Sequence, residues 1–181
     1  QTKRPCSGKP VCGTATFPNL EYEVFIWCDS ASVDVPSKCR PSRHRRDSVT
    51  QGHYKLWAWQ HTEYRRIQVL DADVLPLVNM DALFHLPIES KFIGCPGKDS
   101  VLNAGWFSLR PDCETFKRMT DLLWYRGMRR PRQWDLAKGW GVPMPAWTNA
   151  LGREMDTGWD FFDARGNQGH MYAYFRFFAR D

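Results

Sequence analysis

The stretch "YRRIQVLDADVLPLVNMDALFHLP" (Tyr64–Pro87) decides how this chain is read. An apolar run beginning at Ile67 ends in Asp71 and Asp73, two carboxylates separated by one small residue. Like charges this close repel, so their placement asks for a positive partner. The run from Arg66 to Val74 reads as a buried strand, and on a strand residues i and i+2 project to the same side. Both carboxylates then aim at one point. Such a pair is a hard-oxygen half-site for Mg²⁺ or Mn²⁺, with the remaining positions left to phosphate oxygens and water. The alternative is that one aspartate caps a turn while the other is solvated. A bare D-x-D does not choose between the two.

The flanks suggest alternating strands and helices. Upstream, residues 1–19 form an irregular, Pro/Gly/Cys-rich lead-in. "YEVFIWCD" (Tyr22–Asp29) reads as another buried strand, residues 30–47 as loop, and "SVTQGHYKLWAWQHTEY" (Ser48–Tyr64) as a helix with Tyr54, Trp57 and His61 at helical spacing. Downstream, "NMDALFHL" (Asn79–Leu86) suits a short helix with Asn79 as N-cap. "KFIGCP" and "AGWFSLRP" suggest two short strands. "DCETFKRMTDLLWYR" (Asp112–Arg126) is an amphipathic helix with Phe116, Met119, Leu122 and Leu123 on one face. Residues 126–158, rich in Trp, Gly and Pro, form a long insertion, and "NQGHMYAYFRFFAR" (Asn167–Arg180) is a closing helix. This order implies an α/β fold, in which ligands gather at the carboxyl ends of strands. Asp71 and Asp73 stand at such an end.

The 181 residues suffice for one domain with a substantial core, and 43% apolar content is globular. Much of the net charge of +5 lies in "RPSRHRR" (Arg40–Arg46) and "YRGMRRPR" (Tyr125–Arg132). Neither cluster has the interleaved aromatics of a strand-binding groove, so nucleic acid is not expected and a phosphate-bearing ligand is the more economical use of the charge. Nine tryptophans can serve as sugar or base platforms, or as core. Six cysteines without a C-x-x-C pair argue against a zinc ribbon. They leave open disulfides (Cys6 with Cys12 closing a small loop) or free thiols. No apolar run approaches the ~18 residues of a membrane helix. The first residue is Gln and no signal-peptide pattern follows, so a processed or trimmed piece is expected. A Golgi or secretory lumen and the cytoplasm both remain open, as does the oligomeric state.

Two enzyme families place D-x-D after an apolar strand. "DADVL" (Asp71–Leu75) is similar to the D-x-D-x-[TV]-L of haloacid-dehalogenase-type phosphatases, which would make Asp71 the nucleophile and Asp73 the general acid. That family also needs a later acidic pair at a strand end. "MDTGWD" offers Asp156 and Asp160, but no apolar strand precedes them.

Glycosyltransferase family 8, the glycogenin-like enzymes, accounts for more of the chain. "YKLWAWQHTEYRRIQVLDADVLPLVNMDALF" (Tyr54–Phe84) resembles its K-L-x-x-W-x-L-T-x-Y, strand, D-A-D and N-[IM]-D-x-L-F pattern. Lys55, Leu56, Trp59, Thr62, Tyr64, Asp71, Ala72, Asp73, Asn79, Asp81, Leu83 and Phe84 match. "LNAGWFSLRPDCETFKRM" resembles the next block at Asn103, Gly105, Pro111, Glu114 and Thr115. "ARGNQGHMYAYF" resembles the D-Q-G-x-L-N-x-x-F block at Gln168, Gly169 and Phe175.

The resemblance implies a GT-A fold, a mixed sheet flanked by helices. Residues 1–181 would form one partial domain, with 126–158 as an acceptor-side loop. It implies retaining transfer of a hexosyl unit from a nucleotide sugar, usually a UDP-sugar, to a hydroxyl of a glycan or other acceptor. Asp71 and Asp73 would hold Mn²⁺ or Mg²⁺ against the donor diphosphate. Lys55, sixteen residues ahead of Asp71 as in the family, would add a point charge there. Ala72 and the Asn103–Ala104–Gly105 segment would complete the donor site, unless that segment is only a capped turn. Gln168 would stand near the anomeric carbon in an electrostatic and positional role. Asn167 replaces the family's usual acid, so either Asp163 compensates or catalysis is weakened. Trp140 and Trp147 in the insertion are either sugar platforms or packed.

Nothing before Tyr22 resembles the family's uridine-binding strand and loop, and its closing H-x-x-G-x-K segment is not found. The expectation is a fragment of a longer enzyme or a degenerate relative. A different-class alternative is a carbohydrate-binding relic without catalysis.

Overall fold

The computed structural model describes residues 14–16, 23–25, 51–85, 89, 91–128 and 134–179. The chain divides into two compact units, Gln1–Pro36 and Ser37–Asp181. In the first, β1 (Thr14–Thr16) pairs antiparallel with β2 (Glu23–Phe25), Thr14 facing Phe25. The strand expected over Tyr22–Asp29 is described for those three residues only. Its partner lies in the segment expected to be an irregular lead-in, where a Pro/Gly-rich context masks the short β-branched run Thr14-Ala-Thr16.

The second unit is built on an antiparallel three-stranded sheet. Its strands are β3 (Ile67–Leu70), β4 (Phe92–Gly94) and β5 (Trp106–Leu109), in the order β3-β5-β4. Central β5 buries Phe107, Ser108 and Leu109 completely. β3 is half-buried rather than buried, with Leu70 38% exposed, because among the described residues it pairs on one edge only. An aromatic cluster covers the sheet. Trp59 stacks on Phe107 at 5.8 Å and Phe175 at 5.9 Å between ring centroids, and Phe92 stacks on Phe175 at 4.4 Å.

α1 (Cys113–Leu122) starts where Asp112 accepts the Thr115 N–H at 2.7 Å and the Thr115 hydroxyl at 2.6 Å. The Asp112 N–H donates to the Trp59 carbonyl at 3.0 Å, which fixes this helix to the segment before β3. Phe116, Met119, Leu122 and Leu123 are buried as the amphipathic pattern requires. A π-helical turn, Leu123–Met128, continues it.

The helix expected over Ser48–Tyr64 is instead a 3-10 segment, Gln51–Gln60, interrupted at His53. It buries His53, Lys55, Leu56, Ala58, Trp59 and Gln60. These positions lie all round an α-helix rather than on one stripe, so packing overrides the helical period. Asn79 does cap its short helix. Its Oδ1 accepts the Asp81 N–H at 2.7 Å ahead of a 3-10 turn, Asp81–His85.

Within the insertion, β6 (Trp147–Thr148) and β7 (Glu154–Met155) form a two-stranded ribbon. Trp140 is completely buried and donates its indole N–H to the Ala164 carbonyl at 2.8 Å, and Trp147 is 7% exposed. Both indoles are packing residues here rather than exposed platforms. Gly139, at φ +39°, lies against the indole of Trp159, where a Cβ would stand 2.2 Å from its Cγ. α2 (Asn167–Ala173) and a π-helical turn, Tyr174–Phe178, complete the described chain. Cys113 is disulfide-bonded, and Cys95 is free and exposed. No described helix is long and apolar enough to cross a membrane.

Candidate active site

The register of β3 against β5 builds the site. Leu70 faces Trp106, and one residue further the Asp71 N–H donates to the Gly105 carbonyl at 2.8 Å. Antiparallel pairing therefore delivers the start of β5 beside the end of β3. Beyond Asp71 the chain turns, with the Val74 N–H donating to the Asp71 carbonyl at 3.0 Å. The alternation argument for Asp71 and Asp73 thus does not apply, because they lie in a turn after the strand rather than on it. Asp71 is partly buried, whereas Ala72 and Asp73 are exposed.

Lys55 supplies a positive partner for Asp71. Its ammonium lies 2.5 Å from Asp71 Oδ1 and donates to the Ala104 carbonyl at 2.7 Å, with the residue only 6% exposed. Desolvating a lysine is expensive, and the carboxylate and carbonyl offset that cost. The spacing of Lys55 from the D-x-D thus has a structural counterpart. Asn103 uses its Oδ1 to accept the Gly105 N–H at 2.8 Å, a local turn that shapes the entry to β5. A Cβ on Gly105 would stand 3.0 Å from that oxygen and 3.3 Å from Val74 Cγ2, so glycine permits the close approach of the two loops.

A second group gathers at the start of α2. Asp163 adopts a left-handed backbone, φ 57°, and its carboxylate accepts the Gln168 N–H at 3.0 Å and the Gln168 side-chain amide. Gln168 Oε1 in turn accepts the Ser100 hydroxyl at 2.7 Å. Burial pushes the Asp163 carboxyl above its ordinary range, opposed by the Gln168 bonds and by the charge of Lys55. Lys55 therefore couples the two groups electrostatically. Asn167 is buried with its Oδ1 unpartnered. Gly169 permits the tight turn here, since a Cβ on it would stand 1.8 Å from the Ala164 carbonyl oxygen.

Three loops meet around these residues. The Phe162 N–H donates to the Asp99 carbonyl at 2.8 Å, Asn149 Nδ2 to Lys98 O at 3.0 Å, and the Ala150 N–H to Gly97 O at 3.0 Å. Nothing in "GKDS" marks the Ser100 hydroxyl as a partner for a residue 68 positions away.

The residues expected from the sequence to hold a divalent ion are Asp71 and Asp73. Among the described residues no group of three or more His, Cys, Asp or Glu side chains converges. Asp71 Oδ1 is engaged by Lys55, so the two carboxylates would supply at most a half-site for Mg²⁺ or Mn²⁺. Asp156 and Asp160 are exposed and, among the described residues, do not join such a group.

No family model matches the chain, and no solved structure matches it. Over 79 residues it is 35% identical to a putative UDP-glucuronate:xylan alpha-glucuronosyltransferase 4 of Arabidopsis thaliana, covering 42% of this chain and 14% of that protein. It is 34% identical over 73 residues to glycogenin-1 of Homo sapiens, covering 40% of this chain and 21% of that one. With glycogenin-1 of Caenorhabditis elegans the identity is 39% over 67 residues, 37% of this chain and 15% of that protein. The chain thus spans about a fifth or less of the length of these curated relatives. By this likeness, the chain resembles the glycogenin-like glycosyltransferases.

Proposed function

We propose that this chain carries the donor-binding part of a GT-A-type glycosyltransferase domain. The reaction would move a hexosyl unit, with retention, from a UDP-sugar to an acceptor hydroxyl. The observation that carries this reading is the Lys55–Asp71–Ala104 cluster, formed where the start of β5 meets the end of β3. In the reaction the bond from the anomeric carbon to the β-phosphate oxygen would break, a bond to the acceptor oxygen would form, and the hydroxyl proton would pass to the departing diphosphate oxygen. The difficult charge is the one left on the departing diphosphate. Lys55 opposes it as a point charge whose approach is fixed by burial. Asp71 and Asp73 are the side chains that would hold Mn²⁺ or Mg²⁺, and such an ion would supply Lewis-acid stabilisation of the same charge.

Asp163, held by Gln168, which Ser100 holds in turn, would offer a carboxylate to an electropositive anomeric carbon. Gln168 then serves chiefly to orient Asp163. The Asn103–Gly105 turn would limit the width of the donor site. The insertion before α2 would serve the acceptor side. A second reading, a carbohydrate-binding relic, draws on Asn167, which offers no charge where a related enzyme carries an acid, and on the engaged amide of Gln168.

The test is UDP release from a panel of UDP-sugars with Mn²⁺ and neutral oligosaccharide acceptors. The expected outcome is acceptor-stimulated UDP release that falls at least a hundredfold in Asp71→Asn. UDP release absent from every donor, together with oligosaccharide binding indifferent to UDP, would select the relic instead.

A further inference from the structure

We propose that His53 and His170 form an acid-sensitive latch, which in mild acid lets α2 leave the segment carrying Lys55 and so takes the donor site apart. The opening follows from the packing of the two rings, and its effect on the donor site rests on the transferase reading. The latch joins two pieces of chain with weak local structure. His53 stands at the interruption of the 3-10 segment Gln51–Gln60, with φ −131° and ψ 15°, two residues before Lys55. α2 spans seven residues, follows Gly166 without a side-chain cap and passes at Tyr174 into a π-helical turn. A helix this short gains little from its own hydrogen bonds, so tertiary packing holds it. His170, two residues beyond Gln168, supplies part of that packing. Its ring meets His53 edge to face at 5.5 Å and Trp140 at 4.9 Å, and its Nε2–H donates to the Met119 carbonyl at 2.9 Å.

The same geometry keeps a second proton out. His170 is fully buried and His53 nearly so. With Nε2 donating to Met119, the neutral ring of His170 leaves Nδ1 bare, and among the described residues that nitrogen has no hydrogen-bond partner. Protonation there would create a buried N–H without an acceptor, at the cost of desolvating a charge. The surroundings of the ring offset little of that cost. α1 presents the Met119 carbonyl, already engaged, the insertion presents the Trp140 ring, and the Lys55 segment presents His53, whose protonation would add a like charge. Lys55 turns its ammonium to Asp71 and Ala104. Asp163, on the turn before α2, opposes the latch, because its carboxyl takes up a proton more readily in the closed form. Burial keeps His53 neutral down to about pH 4 and His170 down to about pH 3, whereas in an opened chain both titrate near 6.5. Each histidine therefore raises the opened fraction by up to about tenfold per pH unit below 6.5.

The experiment follows hydrogen–deuterium exchange of the full chain by mass spectrometry at pH 7, 6 and 5, corrected for the intrinsic exchange rate. α2 is expected to open at least tenfold more often than β5 at every pH, and its opened fraction to rise by roughly several hundredfold from pH 7 to pH 5. In His53→Gln or His170→Gln, whose amides do not titrate, the rise should shrink to roughly twentyfold, and in the double variant it should nearly vanish. Glutamine at 170 keeps a donor for the Met119 carbonyl, and the wild-type profile decides the matter even where a variant fails to fold. Saturating UDP with Mn²⁺ should slow α2 exchange at pH 5 at least tenfold, because the closed form alone joins Gln168 to the Lys55 side. An α2 opening that is flat with pH, or equal to that of β5 throughout, would overturn the latch. So would a UDP-induced melting shift at pH 7 combined with α2 exchange that UDP leaves unchanged at pH 5. Acid opening of α2 in a chain whose melting UDP never shifts would sink the donor reading while supporting the latch.

Discussion

Asp71→Asn is expected to destabilise the chain by about 2–3 kcal/mol, an unusually large effect for a side chain that is one-third exposed. The reason lies with its partner. Lys55 is 6% exposed, and its ammonium rests 2.5 Å from Asp71 Oδ1. Neutralising the aspartate removes the closest carboxylate from a desolvated cation. Breaking a fully buried pair costs roughly 3–5 kcal/mol, and the 32% exposure of Asp71 brings the expectation below that range. Lys55→Met leaves a carboxylate that water reaches more easily, so it should cost less, about 1–2 kcal/mol. The double variant should be less destabilised than the sum of the two, with a coupling of about 1 kcal/mol or more. Urea unfolding of the three variants checks this. Additive losses would show that the pair does not hold the segment before β3 to the sheet.

Acidification from pH 7 to pH 4 is expected to cost several kcal/mol of stability through two buried histidines. His53 and His170 pack edge to face at 5.5 Å. His170 Nε2 lies 2.9 Å from the Met119 carbonyl, to which it donates, and the ring sits 4.9 Å from that of Trp140. Burial lowers His53 to about 4 and His170 to about 3. In the unfolded chain both titrate near 6.5, so between pH 6.5 and 4 the unfolded state binds protons that the folded state refuses. Stability therefore falls as pH falls through that window, by roughly 3 kcal/mol for each histidine at pH 4. Asp163 works the other way, since its raised value makes protonation easier in the folded state. Asp112, held below its ordinary range by the cap bonds to Thr115 and Glu114, adds a further loss only at lower pH. Thermal melts at pH 7, 5.5 and 4.5 measure the effect, and a melting temperature flat across that span would contradict it.

What could be foreseen from the sequence was decided by local chemistry. The apolar stripe Phe116–Met119–Leu122–Leu123 located α1, and Asn79 announced its own cap. The strand content of β4 and β5 followed from short aromatic and β-branched runs. The segment before β3 was misjudged because its residues are buried on nearly every side, which erases the helical period. The D-x-D was placed on a strand because sequence does not reveal that Val74 closes a turn onto Asp71. The partner of Asp71 was half visible: Lys55 stood out by spacing, but the Ala104 carbonyl that shares its ammonium is a backbone atom delivered by register. Trp140 and Trp147 show the same limit, since residue type alone does not separate a sugar platform from a core indole. The Ser100–Gln168–Asp163 chain depends on contacts between loops and had no local signal.

The central claim is that Lys55, Asp71 and Asp73 form a donor-diphosphate site. It is tested most directly by thermal melts of the chain with UDP, with and without Mn²⁺, repeated on Asp71→Asn/Asp73→Asn. UDP far above its dissociation constant should raise stability by roughly 2–3 kcal/mol in the presence of Mn²⁺. The account predicts that this shift appears in the wild-type chain and vanishes in the double variant. An equal UDP shift in both proteins, or none in either, would contradict it.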